Sequence, residues 1–228
     1  MTIVLEPADP SPRRAPDGEV AGAVLAIAAL ASIFVLAHHP TGGHRQVAAL
    51  VAEIVRFAPQ DQAVHGAMIA LVAGLLFALT VFSLRRGLRD QLVLAALIAY
   101  AIGVLALTGA ALVDGFIVPS VSAAYATDVS TAAAEAVALL RLCFAAIQAA
   151  TGLGLVAQSV AIVLWSAGLV RSAGWTRVVG VLGLPAALYP PALLAMHGAI
   201  TAHMLVGLVA AQAIWYLGVA VLLLRRDV

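Results

Sequence analysis

Six long apolar runs separated by short polar or proline-containing stretches set the pattern of this chain. They cover approximately residues 20–36, 63–84, 91–113, 142–169, 175–194 and 200–224. A helix that crosses a bilayer needs about 20 mostly apolar residues, because the hydrocarbon core is about 30 Å thick and each residue rises about 1.5 Å. Each run therefore predicts one spanning helix. The fold class is all-α, a polytopic six-helix bundle over residues 19–228 preceded by a polar tail over 1–18. That tail places Pro10, Pro12 and Pro16 among charges and reads as disordered rather than as a cleaved signal.

Between the first two runs a different period appears. Val47, Leu50, Val51, Ile54, Phe57 and Ala58 recur at helical spacing, with Gln46, Glu53 and Arg56 opposite. This predicts a short amphipathic helix, ended by Pro59, on the outer membrane surface or over the mouth of the bundle. The Ser-, Ala- and Thr-rich stretch 119–131 predicts a second outer connection. The run 132–169 is too long for one upright span, so the fourth helix is expected to begin before the membrane. Pro185, Pro190 and Pro191 predict a kink or an end near Tyr189 in the fifth.

Charge placement adds a direction. Arg13, Arg14, Arg85, Arg86, Arg89, Arg171, Arg177, Arg225 and Arg226 all fall on one side of the six runs, and Arg45 and Arg56 on the other. The positive-inside rule then puts both termini in the cytoplasm, in a plasma (inner) membrane. Trp165 and Trp175 fit an interfacial belt near Arg171 and Arg177. Arg141 lies thirty residues before Arg171, about 45 Å of helix, and reads as an interfacial snorkelling side chain.

Composition narrows the function classes. With 64% hydrophobic and 10% charged residues and a mean hydropathy of +1.08, the natural partner is the lipid bilayer. A net charge of +1 gives no reason to invoke nucleic acid. Cys143 is the single cysteine, which excludes an intramolecular disulfide and thiolate zinc clusters. No HExxH, GxSxG, P-loop or GxGxxG motif occurs, so no catalytic residue is assigned.

The candidate chemistry is histidine. All six, His38, His39, His44, His65, His197 and His203, fall on the outer side. Counting back from Arg85 and Arg225 puts His65 and His203 in one layer, about 30 to 33 Å from the inner boundary, with Asp114 slightly higher at about 37 Å. His65, His197 and His203 open helices or just precede them, where the positive dipole end disfavours imidazolium and leaves the neutral, ligating form. His65 with His203 is the candidate pair for b-type haem. The same residues with His197, Asp114 and Glu135 are the candidate ligands of a divalent metal. The placement resembles b-haem membrane proteins in general outline, without a residue-by-residue match of their facing pairs. His38, His39 and His44 read as boundary residues that need no partner.

A polar face on the fourth helix, marked by Arg141, Gln148 and Ser159 with Thr151 and Gln158 beside it, reads first as interhelical glue. The leading functional expectation is an outward-facing His/carboxylate site serving electron transfer, metal handling or sensing. The alternatives are a small-molecule or ion transporter or channel, and a structural or assembly subunit held by a membrane-protein partner or a second copy.

Overall fold

The structure, a computed structural model, describes residues 18–39, 46–126, 129–197 and 200–225, with the side chains of 129–133, 202 and 203 outside the description. The polar tail, apart from Gly18, also lies outside it. The described residues form seven α-helices: α1 Gly18–Ala37, α2 Val47–Arg86, α3 Gln91–Leu112, α4 Val118–Tyr125, α5 Val129–Val170, α6 Gly174–His197 and α7 Ala202–Arg225. A π-helical segment, Val113–Ile117, joins α3 to α4 into one continuous rod. The described residues contain no strand. Six rods are long and apolar enough to cross a membrane, which makes the chain an all-helical, multi-pass membrane protein.

The helices form a closed ring in which each rod packs on the next in sequence and α7 returns to α1. Close approach between α3 and α5 depends on Gly103 and Gly154. A Cβ on Gly103 would stand 2.9 Å from the Gly154 carbonyl oxygen, so only a residue without a side chain fits there. The outer wall is apolar, with Ile27, Phe34, Leu105, Leu142 and Leu188 all more than half exposed. In water such a surface would be unstable; in lipid it is the ordinary solvated face.

The two ends of the ring differ. Arg85, Arg86, Arg89, Arg171, Arg177 and Arg225 lie at one end, here the arginine end. Just inside it the interior is filled by Phe82, Tyr100, Trp165, Trp215 and Tyr216 in mutual ring contact. The opposite, histidine end is hollow. There α2 and α5, about 60 Å long at 1.5 Å per residue, project well beyond a hydrocarbon thickness. Their upper parts pack with α4 around Val51, Val118 and Leu140.

Three sequence expectations change. Pro59 does not end a helix: α2 runs through it, and the amphipathic stretch 47–58 is the upper third of that rod. Its Val51 is buried against α4 and α5, so the apolar face has a protein partner. Pro185, Pro190 and Pro191 likewise leave α6 unbroken to His197. A proline removes one backbone donor, and inside a packed rod that loss is tolerated when the remaining bonds and neighbours hold the axis. The connection expected from Pro119 starts later, since α4 carries helix to Tyr125. The early start of the fourth span is borne out by α5 beginning at Val129.

Candidate metal centre

Four side chains of metal-ligand type from three elements meet where the hollow begins. Asp61 and His65 come from α2, four residues apart and therefore on one face. His39 follows the last turn of α1, and Asp114 comes from the π-helical segment. That segment inserts an extra residue into the turn, closed by the Val118 N–H donating to the Val113 carbonyl, and π-bulges of this kind concentrate at functional sites. The next residue, Gly115, is buried, and a Cβ there would collide with the Cβ of His65. Glycine is what lets α2 bring its imidazole against the α3–α4 rod.

His65 is at the middle of the group and only 2% exposed. Its Nδ1 lies 2.9 Å from the Asp61 carbonyl oxygen and 3.2 Å from the Asp61 carboxylate. A carbonyl oxygen can only accept, so Nδ1 carries the proton and donates it. Nε2 then faces His39 Nε2 at 3.3 Å and Asp114 Oδ2 at 3.3 Å. The His39 and His65 rings meet edge-on, 84° apart with centroids 4.9 Å apart. His39 Nε2 is 3.9 Å from the Asp61 carboxylate, and one ligand atom each from His39, Asp61 and His65 lies within a 4.8 Å span. The Nδ1 of His39 is buried without a hydrogen-bond partner.

Two hollows meet at this group, and His39 and Asp114 line both. Towards the histidine end is a vestibule of about 480 Å³ walled by Leu50, Glu53, Phe57, Gln60 and Phe144. Towards the bundle centre a shaft of about 240 Å³ descends between the helices to Gln212 and Tyr216.

Of the residues singled out from sequence, His65 and Asp114 are brought together. Glu135 lies instead against the Tyr125 hydroxyl, where the rod from α3 ends opposite the start of α5. His197 is exposed at the end of α6. His203 sits in the first turn of α7, but its side chain lies outside the described residues, as does His44 entirely. The helix-dipole argument holds for none of the assembled imidazoles: α2 begins at Val47, so His65 is mid-helix, and His39 follows a helix C-terminus.

The polar face of α5 is partly glue and partly wall. Gln148 donates to the Ile200 carbonyl at 3.0 Å and accepts from the Ile200 N–H at 2.9 Å, strapping the α6–α7 turn to α5. Arg141 is exposed and Ser159 is buried; the residues of α5 that line the shaft are Ile147, Gln148, Thr151, Leu155 and Gln158.

Asp61 and His39 were missed in sequence. For Asp61 a signal existed, an aspartate four residues before a histidine on one helical face. His39 had none, because its contact is made between two helices and is set by how they pack. Comparison with protein-family models, with curated proteins and with solved structures finds no match for this chain.

Proposed function

We propose that this protein binds a divalent transition-metal ion at the outer face of the plasma membrane, through His39, His65 and Asp114 with Asp61 beside them, in metal handling or sensing. The observation that carries the reading is the state of His65. Its Nδ1–H is committed to Asp61, as the non-ligating nitrogen of a metal-bound histidine usually is to a carbonyl or carboxylate, and its Nε2 faces two further ligand atoms, where an incoming ion would take the place of the Nε2 proton. Ligands about 2.0 to 2.1 Å from a tetrahedral ion stand about 3.3 Å apart, the separation of His65 Nε2 from both neighbours. Two carboxylates beside the imidazoles would neutralise a divalent charge in a poorly solvated place.

The same geometry favours a bare ion over haem. Axial imidazoles of a b-type haem stand on opposite faces of the macrocycle, whereas His39 and His65 meet edge to edge with no space between them. The His203 of the expected haem pair with His65 has its side chain outside the described residues. A transport reading, in which the ion would be cargo, has the vestibule as an entry to the cluster, whereas the shaft beneath has no charged side chain below His65 and Asp114 to pass the ion on. Titration of metal-stripped, purified protein with Co2+, read by its visible ligand-field bands, tests the proposal. Saturable bands that vanish in His65→Ala support it, and a spectrum equal to that of free Co2+ contradicts it.

A further inference from the structure

We infer that the shaft below the cluster is a binding site in its own right, for a neutral molecule with an apolar body and a carbonyl head. This does not depend on the metal reading. Below His65 and Asp114 the shaft has no charged side chain among its lining residues, and most of its wall is aliphatic, as at Val72, Leu107, Leu155, Leu205 and Val209. A charged ligand would have no counter-ion there and would carry a large desolvation penalty. An apolar body fits.

The floor is different. Gln212 is 2% exposed, faces the shaft, and its Nε2 donor has no partner among the described residues. Beside it Tyr216, 3% exposed and also lining the shaft, accepts the hydroxyl proton of Tyr100 at 3.3 Å and so keeps its own O–H to donate. Two buried donors at the blind end of an apolar shaft, with no acceptor assigned to either, are matched by one carbonyl oxygen, whose two lone pairs take both. Unsatisfied buried donors are few in folded proteins, and here the indole N–H groups of Trp165 and Trp215 in the adjoining aromatic plug also have no partner among the described residues. Above Gln212 and Tyr216 the wall is mainly aliphatic, with Ser32, Thr108, Thr151, Gln158 and Thr201 as its polar members. The aromatic plug of Trp165, Trp215 and Tyr216 closes the floor towards the arginine end, which makes this a pocket rather than a passage.

The plug also supplies the readout, because the Trp215 and Tyr216 rings are 5.6 Å apart. In a Trp175→Phe background, which removes the exposed tryptophan, the remaining signal comes from Trp165 and Trp215. The probe is a decyl-substituted benzoquinone, a neutral carbonyl compound that quenches tryptophan, titrated into the full chain in nanodiscs, with decylbenzene as competitor. The expected result is saturable quenching that decylbenzene does not displace, weakened about tenfold in Gln212→Leu and in Tyr216→Phe, the loss of roughly one hydrogen bond each. Asp61→Asn, at a residue of the cluster that does not line the shaft, should leave the binding constant unchanged, which separates this site from the metal centre. Quenching that rises linearly with probe, displacement by decylbenzene at equal concentration, or equal constants in wild type and Tyr216→Phe would overturn the assignment. Tyr216→Phe is nearly isosteric, so the test stands even if Gln212→Leu fails to fold.

Discussion

Asp61 and His65 stand one turn apart on α2, and that turn decides which nitrogen of the imidazole is left to face the cluster. The Asp61 carbonyl and carboxylate both approach Nδ1, at 2.9 and 3.2 Å, so Nε2 is the nitrogen directed at His39 and Asp114. Asp61→Asn keeps the carbonyl and removes the charge. Outer partners of metal-bound histidines typically contribute 10- to 100-fold in affinity, and a Zn2+ affinity reduced by about that factor is expected. Isothermal titration of the two proteins measures it. An unchanged constant would mean that the carboxylate takes no part.

Gly115→Ala should damage both stability and the site. Its added Cβ would collide with the Cβ of His65, and neither backbone has room to retreat within a closed ring. Overpacking of this kind costs about 1–3 kcal/mol, seen as a lower melting temperature together with weaker Zn2+ binding. Gly109→Ala, on the same rod but with open space around the new atom, is the control and should be neutral or slightly stabilising. Equal melting of the two variants would argue against the close approach of α2 and the π-helical segment.

Gln148 has a structural task that Arg141 and Ser159 do not share. Replacing it with leucine leaves the Ile200 N–H and C=O without their partner in the break between α6 and α7. An unsatisfied buried group costs about 1–3 kcal/mol, and the local sign is faster hydrogen exchange at the Ile200 amide. Exchange at wild-type rate in Gln148→Leu would show that the turn is held by something else.

Sidedness follows from the arginines. In a bacterial inner membrane, a fluorescent-protein fusion after the final residue should be bright, and alkaline phosphatase inserted at Gly42 should be active. The reverse pattern would invert the bundle and put the histidine end in the cytoplasm.

Much of the fold was legible because spanning helices announce themselves by length and hydropathy, and the arginine count placed His65 and His203 in one layer with Asp114 slightly higher. What composition and spacing do not encode is azimuth. Which way a side chain points around its rod depends on how the rods are rotated against one another, and the extra residue in 113–117 shifts the face of everything beyond it. The α5 stripe shows the same effect: Thr151, Leu155 and Gln158 line the shaft where Ser159 was expected to share their face. His39 was dismissed as a boundary residue for a related reason, since its place beside His65 is set by the contact between α1 and α2. Prolines misled the reading in the opposite direction, because Pro59, Pro190 and Pro191 act as helix breakers in an isolated segment and not within these packed rods.

The most direct measurement is the metal content of the purified protein, by elemental analysis after exposure to Zn2+ and removal of the excess, for wild type and His65→Ala side by side. One ion per chain in wild type and a trace in the variant is the predicted result. No stoichiometric metal in wild type, or an equal amount in both, would contradict it and leave His39, Asp61, His65 and Asp114 as a hydrogen-bonded pin between three helices.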